Sequence, residues 1–180
     1  HEIRSPICTI LNECELLGNS KTSVIQDTCK HLISLTDDIL KIDKIKGQAV
    51  VLNQKEENLP EVLSKCTKRH RVEAKKRGMK IRTTIEEIPS NVMVDLSKFN
   101  QVLDNLIGNA FKYSSGGSIT LDVSYNEETS ICSIRVIDEG IGMDSKFHAS
   151  AFEELVQGDN TMIGAGIGLT LSRILAKVMG

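Results

Sequence analysis

The chain has 180 residues, enough for one ordinary domain or a small domain joined to a helical hairpin. Its 22 basic and 24 acidic side chains leave a formal net charge of −2, which argues against bulk electrostatic binding to nucleic acid. No apolar run approaches the roughly 20 residues that a membrane-spanning helix needs, and no signal peptide is present. The cysteines at 8, 14, 29, 66 and 132 form no Cys-x-x-Cys pair and have no histidine at zinc spacing. Cys8, Cys14 and Cys29 fall on or beside apolar stripes and read as small buried thiols of a reducing compartment.

In chain order, Ile3, Ile7, Ile10, Cys14 and Leu17 recur at alternating spacings of four and three, a coiled-coil-like seam. Gly18-Asn19-Ser20 breaks it, and a second seam follows at Ile25, Thr28, Leu32, Leu35, Ile39 and Ile42. The spacing predicts an antiparallel hairpin over 1–46, whose half-covered stripe is completed by a second copy in a four-helix bundle or by the downstream domain. Residues 47–58 read as a connector with a short strand around 49–52. The pattern then predicts a helix over 59–77 ended by Gly78, a strand over 79–85, a turn at Pro89 and an extended segment over 92–94. A helix over 97–113 carries Phe99, Val102, Leu103, Leu106 and Ala110. Strands over 118–125 and 131–137 flank a polar turn, 144–163 is a polar loop with a short helix near Phe152, and 168–179 forms the last helix. Helices alternating with a mixed sheet predict an α+β chain, with a two-layer α/β sandwich over 47–180.

Three glycine- and asparagine-rich clusters stand out: Asn105-Leu-Ile-Gly-Asn-Ala-Phe-Lys-Tyr-Ser114, Asp138-Glu-Gly-Ile-Gly-Met143 and Gly164-Ala-Gly-Ile-Gly-Leu169. Asn105 and Asn109 are four apart, so their amides share a helix face, and an amide oxygen suits Mg²⁺. Gly140 and Gly142 allow a tight turn after Asp138. The last cluster leads into a helix whose N-terminus can receive phosphates. It is not a Walker loop, since no Gly-Lys-Ser/Thr follows, and no strand precedes it as a Rossmann motif requires.

These clusters, preceded by His1-Glu-Ile-Arg-Ser-Pro6, closely resemble a sensor histidine kinase of two-component signalling, over nearly the whole chain. The resemblance implies a dimerisation and phosphoacceptor domain at 1–46 and a catalytic ATP-binding domain at 47–180, both read as truncated at their outer ends. It implies autophosphorylation of His1 by ATP, with Glu2 assisting proton removal from the ring. Pro6 would bend the helix one turn later, because it cannot donate to the Glu2 carbonyl. The ATP site it implies comprises Asn105, Asn109, Lys112, Tyr113, Asp138, Gly140, Gly142, Gly164, Gly166, Gly168 and Leu169, with Mg²⁺ on Asn109 assisted by Asn105.

The phosphoryl group would then pass to an Asp of a response-regulator receiver domain. A homodimer, no nucleic acid, no membrane contact by this stretch and a cytoplasmic setting complete the expectation, the parent protein being open to membrane attachment. The loop at 144–163 is expected to act as a lid anchored by Phe152 and Leu155. Ser5, where the family usually has Thr, is expected to support only weak phosphatase activity. Related hydrolytic ATPases carry Glu at the Asn105 position to activate water, and Asn cannot take that proton. An ATP-binding scaffold without phosphotransfer remains a second reading. His31, His70 and His148 receive no chemistry.

Overall fold

The computed structural model describes residues 4–17, 22, 25, 26, 28, 29, 32, 33, 36, 51–145, 151, 152 and 167–180. It holds α1 (Arg4–Leu17), β1 (Lys55–Asn58), α2 (Leu59–Lys76), β2 (Lys80–Ile85), β3 (Asn91–Val94), α3 (Leu96–Tyr113), β4 (Ser118–Asn126), β5 (Ile131–Asp138) and α4 (Ile167–Met179).

Two short strands launch two long helices in the same way. β1 and β3 pair antiparallel, Lys55 opposite Val94 and Asn58 opposite Asn91. Each then ends on an acidic or amide residue whose side chain caps the helix that follows. Asn58 Oδ1 accepts from the Glu61 N–H at 2.9 Å, and Asp95 Oδ1 accepts from the Lys98 N–H at 3.1 Å. Such caps satisfy amides that a helix start leaves without partners. A strand forms at 55–58; of the strand expected around 49–52, residues 51 and 52 are not in a strand and 49 and 50 lie outside the described residues. The apolar run Val50-Val51-Leu52 suggested the earlier position, but backbone pairing to β3 selects the charged Lys-Glu-Glu-Asn, whose side chains are mostly exposed.

Asp95 does more than cap. It is buried, accepts the Asn53 N–H at 3.0 Å and pairs with Lys98 Nζ at 2.9 Å. The Lys98 ammonium, with the Asn53 and Lys98 amides, holds its carboxyl down at about 2. A carboxyl whose folded pKa is depressed adds stability above its unfolded value, and that stability is lost as pH falls. Asp95→Ala is therefore expected to cost about 0.5–2 kcal/mol at neutral pH. Urea unfolding should show the gap between the two proteins closing as pH falls from about 4 towards 2.

The larger sheet has the order β2-β4-β5, with β2 parallel and β5 antiparallel to β4. β4 alternates Ile119, Leu121 and Val123 inward, all fully buried, as a strand covered on one face should. Across the pair, Asp122 opposes Arg135 and accepts its Nε at 3.0 Å. Leu59, Leu63 and Cys66 of α2 and Leu103, Ile107, Ala110 and Phe111 of α3 close the same core. Ile107 and Phe111 were not among the expected core positions, yet they are buried while Val102 and Leu106 are only half-buried. At its far end α2 stops at Gly78, whose φ of +66° is a left-handed turn that glycine adopts without strain. Arg77 Nη1 then donates to the Phe111 carbonyl at 3.1 Å, tying the ends of α2 and α3.

In the N-terminal region α1 forms, with Ile7 and Cys14 buried but Ile10 48% exposed. The described residues among 25–36 are helical. There Cys29 is buried whereas Ile25 and Leu32 are 46% and 41% exposed, so the inward phase lies one position off the expected second seam. Residues 18–20 and 37–50, and with them the turn and the end of the expected hairpin, lie outside the described residues, as does Glu2, whose carbonyl the expected bend at Pro6 would leave without a donor. All five cysteines are free, with Cys14, Cys29 and Cys66 buried.

Candidate nucleotide site

Three elements converge on one end of α3. The first is α3 itself, whose Asn105 and Asn109 are both half-buried on neighbouring turns. Asn105 Nδ2 donates to Ser172 Oγ of α4 at 2.6 Å. Gly168, at the start of α4, packs directly on the Asn105 amide, and any side chain there would collide with Asn105 Oδ1. Glycine at 168 thus has a packing reason of its own. Asn109 makes no hydrogen bond to another described residue. One turn on, Lys112 lies over the Tyr113 ring, its Nζ 4.8 Å from the ring centre and 3.1 Å from the phenol oxygen.

The second element is the loop after β5. Asp138 accepts from the Gly140 N–H at 2.9 Å and from Ser114 Oγ at 3.4 Å, and its carboxylate remains exposed. The Ile141 N–H donates to the Tyr113 carbonyl at 3.1 Å, so this loop docks on the C-terminal end of α3. At Gly140 a Cβ would collide with that same carbonyl, and Gly142 sits at φ +70°. Each glycine therefore meets a demand of the protein backbone itself. The neighbouring Glu139 accepts from the Ser118 hydroxyl at 2.7 Å, which holds its carboxyl below the usual range and pins the loop's other edge.

The third element is α4, of which Gly168, Leu169 and Ser172 are described, Gly168 and Leu169 half-buried and Ser172 buried. Of the expected site residues, the structure brings Asn105, Asn109, Lys112, Tyr113, Asp138, Gly140, Gly142, Gly168 and Leu169 onto these three elements. His1, Glu2, Gly164 and Gly166 lie outside the described residues, as does most of the expected lid over 144–163, though Phe152 is described and exposed. Sequence reasoning missed two positions. Ser114 and Ser172 hold Asp138 and Asn105 in place. Ser172 follows Gly168 by four residues, so helical spacing alone puts it on the same face.

The donor set suits a magnesium-bound nucleotide. The Asn105 and Asn109 amides lie on α3, the entry to α4 packs on Asn105, and the loop bearing the exposed Asp138 docks on the C-terminal end of α3. An amide oxygen can ligate Mg²⁺, and a helix start can receive phosphate.

Known proteins agree with this class. Residues 94–180 match the family model "Histidine kinase-, DNA gyrase B-, and HSP90-like ATPase". The autoinducer 2 sensor kinase/phosphatase LuxQ of Vibrio vulnificus is 30% identical over 197 residues, covering 99% of this chain and 23% of the relative. The sensor histidine kinase WalK of Bacillus subtilis is 27% identical over 195 residues, covering all of this chain and 32% of the relative. Among solved structures, full-length ShkA in complex with AMPPNP superposes with a TM-score of 0.82 at 27% identity, covering 100% of this chain and 40% of that one. Together these likenesses support a sensor histidine kinase catalytic domain, with the ATPase family model matched over residues 94–180. The chain spans between about a quarter and a third of the length of these two curated relatives.

Proposed function

We propose that the protein is an ATP-dependent protein-histidine kinase that phosphorylates His1 and passes the phosphoryl group to an Asp of a receiver domain. The observation that supports this reading is that α3 gathers both partners: the entry to α4 packs on Asn105, and the Asp138 loop docks on Tyr113.

Each residue then has a task that its chemistry allows. The exposed Asp138 carboxylate accepts the adenine amino group, which selects adenine over guanine, whose corresponding position is a carbonyl. Ser114 and the Gly140 amide hold that carboxylate still. Asn109, assisted by Asn105, offers amide oxygen to Mg²⁺, which when bound neutralises charge on the β- and γ-phosphate oxygens. Lys112 swings from the Tyr113 ring to the phosphates, and Gly164, Gly166, Gly168 and Leu169 line them at the helix entry. His1 Nε2 attacks the γ-phosphorus, the bond to the β–γ bridging oxygen breaks, and ADP leaves with the electron pair. Glu2 takes the ring proton.

Asn at position 105 favours transfer over hydrolysis, since an amide donating to Ser172 has no basic site for water activation. The exposed apolar positions Ile10, Ile25 and Leu32 support a homodimer that covers them. Among the described residues no helix is long and apolar enough to cross a membrane, and we place this stretch in the cytoplasm, where ATP and receiver domains meet it.

Asp138→Asn is expected to weaken ADP and ATP binding by about 1–3 kcal/mol, the usual loss for one hydrogen bond to a charged group. Titration calorimetry checks this, and equal affinity in the two proteins removes Asp138 from the site.

A further inference from the structure

Away from the nucleotide region, α2 and α3 bring three metal-ligating side chains together. Cys66 and His70 are four residues apart on α2 and share a face, and Asp104 meets them from α3. Their donor atoms all lie within 4.8 Å of one another. The thiol is fully buried, the imidazole mostly so, and the carboxylate is 43% exposed, which leaves one side of the cluster open to water. Linear spacing had suggested no histidine partner for any cysteine, and His70 had been left without chemistry. The helical register and the neighbouring helix supply what the spacing did not.

We propose that Cys66, His70 and Asp104 form a binding site for a thiophilic divalent cation of the Zn²⁺ class, with a fourth coordination position left to solvent. The donor set makes the choice. A thiolate and an imidazole favour zinc over magnesium or calcium, which take oxygen ligands. Tetrahedral zinc, with bonds of about 2.0–2.3 Å, sets its ligand atoms roughly 3.3–3.8 Å apart. The present cluster brackets that spacing. His70 Nε2 and Asp104 Oδ1 are hydrogen-bonded at 2.8 Å and must part slightly, while the widest separation, within 4.8 Å, must close. Side-chain rotation within two well-packed helices can make such changes.

Arg69 is the resident competitor, donating to Asp104 Oδ1 at 2.6 Å. Two details keep it from blocking a cation. Arg69 and His70 both use Oδ1, so Oδ2 lies outside both bonds. Arg69 also reaches Asn100 Oδ1 at 3.4 Å, one turn earlier on α3, and keeps that partner when the cation takes Asp104. On binding, the thiol proton passes to solvent, and the two anionic ligands neutralise the divalent charge. The site then joins α2 to α3 one residue before Asn105, bracing the helix that bears the nucleotide amides.

Cobalt(II) is the probe, added to the reduced chain with a non-thiol reductant present. One equivalent is expected to give a thiolate-to-cobalt charge-transfer band with tetrahedral d–d absorption, and one equivalent of Zn²⁺ should bleach it and raise the melting temperature. Cys66→Ala and His70→Gln should lose the band, while Cys14→Ala and Cys132→Ala keep it. Asp104→Asn, at an exposed position that leaves the core intact, should weaken cation affinity at least about tenfold and shrink the zinc-induced melting shift. It carries the test should the Cys66 variant fail to fold. No band in the wild-type chain, a band surviving in Cys66→Ala, or unchanged affinity in Asp104→Asn overturns the proposal. Loss of nucleotide binding alone leaves it standing, because the cobalt spectrum does not depend on ATP.

Discussion

Asn109→Ala is expected to abolish transfer of labelled γ-phosphate from ATP to the protein, a loss of at least about 10²–10³-fold. Removing one preorganised group that stabilises developing charge in a transition state typically costs that much. The expectation rests on Asn109 making no hydrogen bond to another described residue, one helical turn from an Asn105 engaged with Ser172. If Asn109 supplies the metal ligand, its loss removes charge neutralisation where phosphoryl transfer needs it most. Melting temperature should barely change, since the side chain is only half-buried and makes no hydrogen bond to another described residue. Single-turnover labelling in excess magnesium measures the effect, and a rate within threefold of wild type would strip Asn109 of its role.

Glu2→Gln is expected to slow the same transfer by about 10²–10⁴-fold, the range for losing a positioned general base. Glutamine keeps the size and polarity of the side chain but cannot accept the ring proton. Nucleotide affinity should therefore stay unchanged while the chemical rate falls, which separates this variant from Asp138→Asn. A Glu2→Gln protein that labels at the wild-type rate assigns the proton to solvent or to another group.

Much of the catalytic domain was legible in the sequence because its signals are local. Gly78 ends α2 where predicted, and the polar Asn126–Ser130 turn joins two strands as expected. The strand at 55–58 was missed because strand identity there depends on pairing with β3, 33–39 residues away, and not on apolar content. Ile107 and Phe111 were missed as core because α3 packs on both the sheet and α4, so a single stripe underestimates its buried surface. Within the site, the sequence explains Gly140 by a tight turn and Gly168 by a helix entry that can receive phosphates. The fold adds that Tyr113 and Asn105 already occupy the space a side chain would need. The Cys66, His70 and Asp104 cluster was invisible in one dimension, since it takes two helices to assemble it.

Phosphate on His1 is the most direct test of the central claim. Incubation with γ-labelled Mg-ATP, followed by peptide mapping, should place one acid-labile, alkali-stable phosphate on His1. His1→Gln should remove it while leaving ATP binding intact, and a receiver domain should then accept the label on Asp. Label that persists in His1→Gln, or that resists acid, contradicts a histidine kinase acting through this residue.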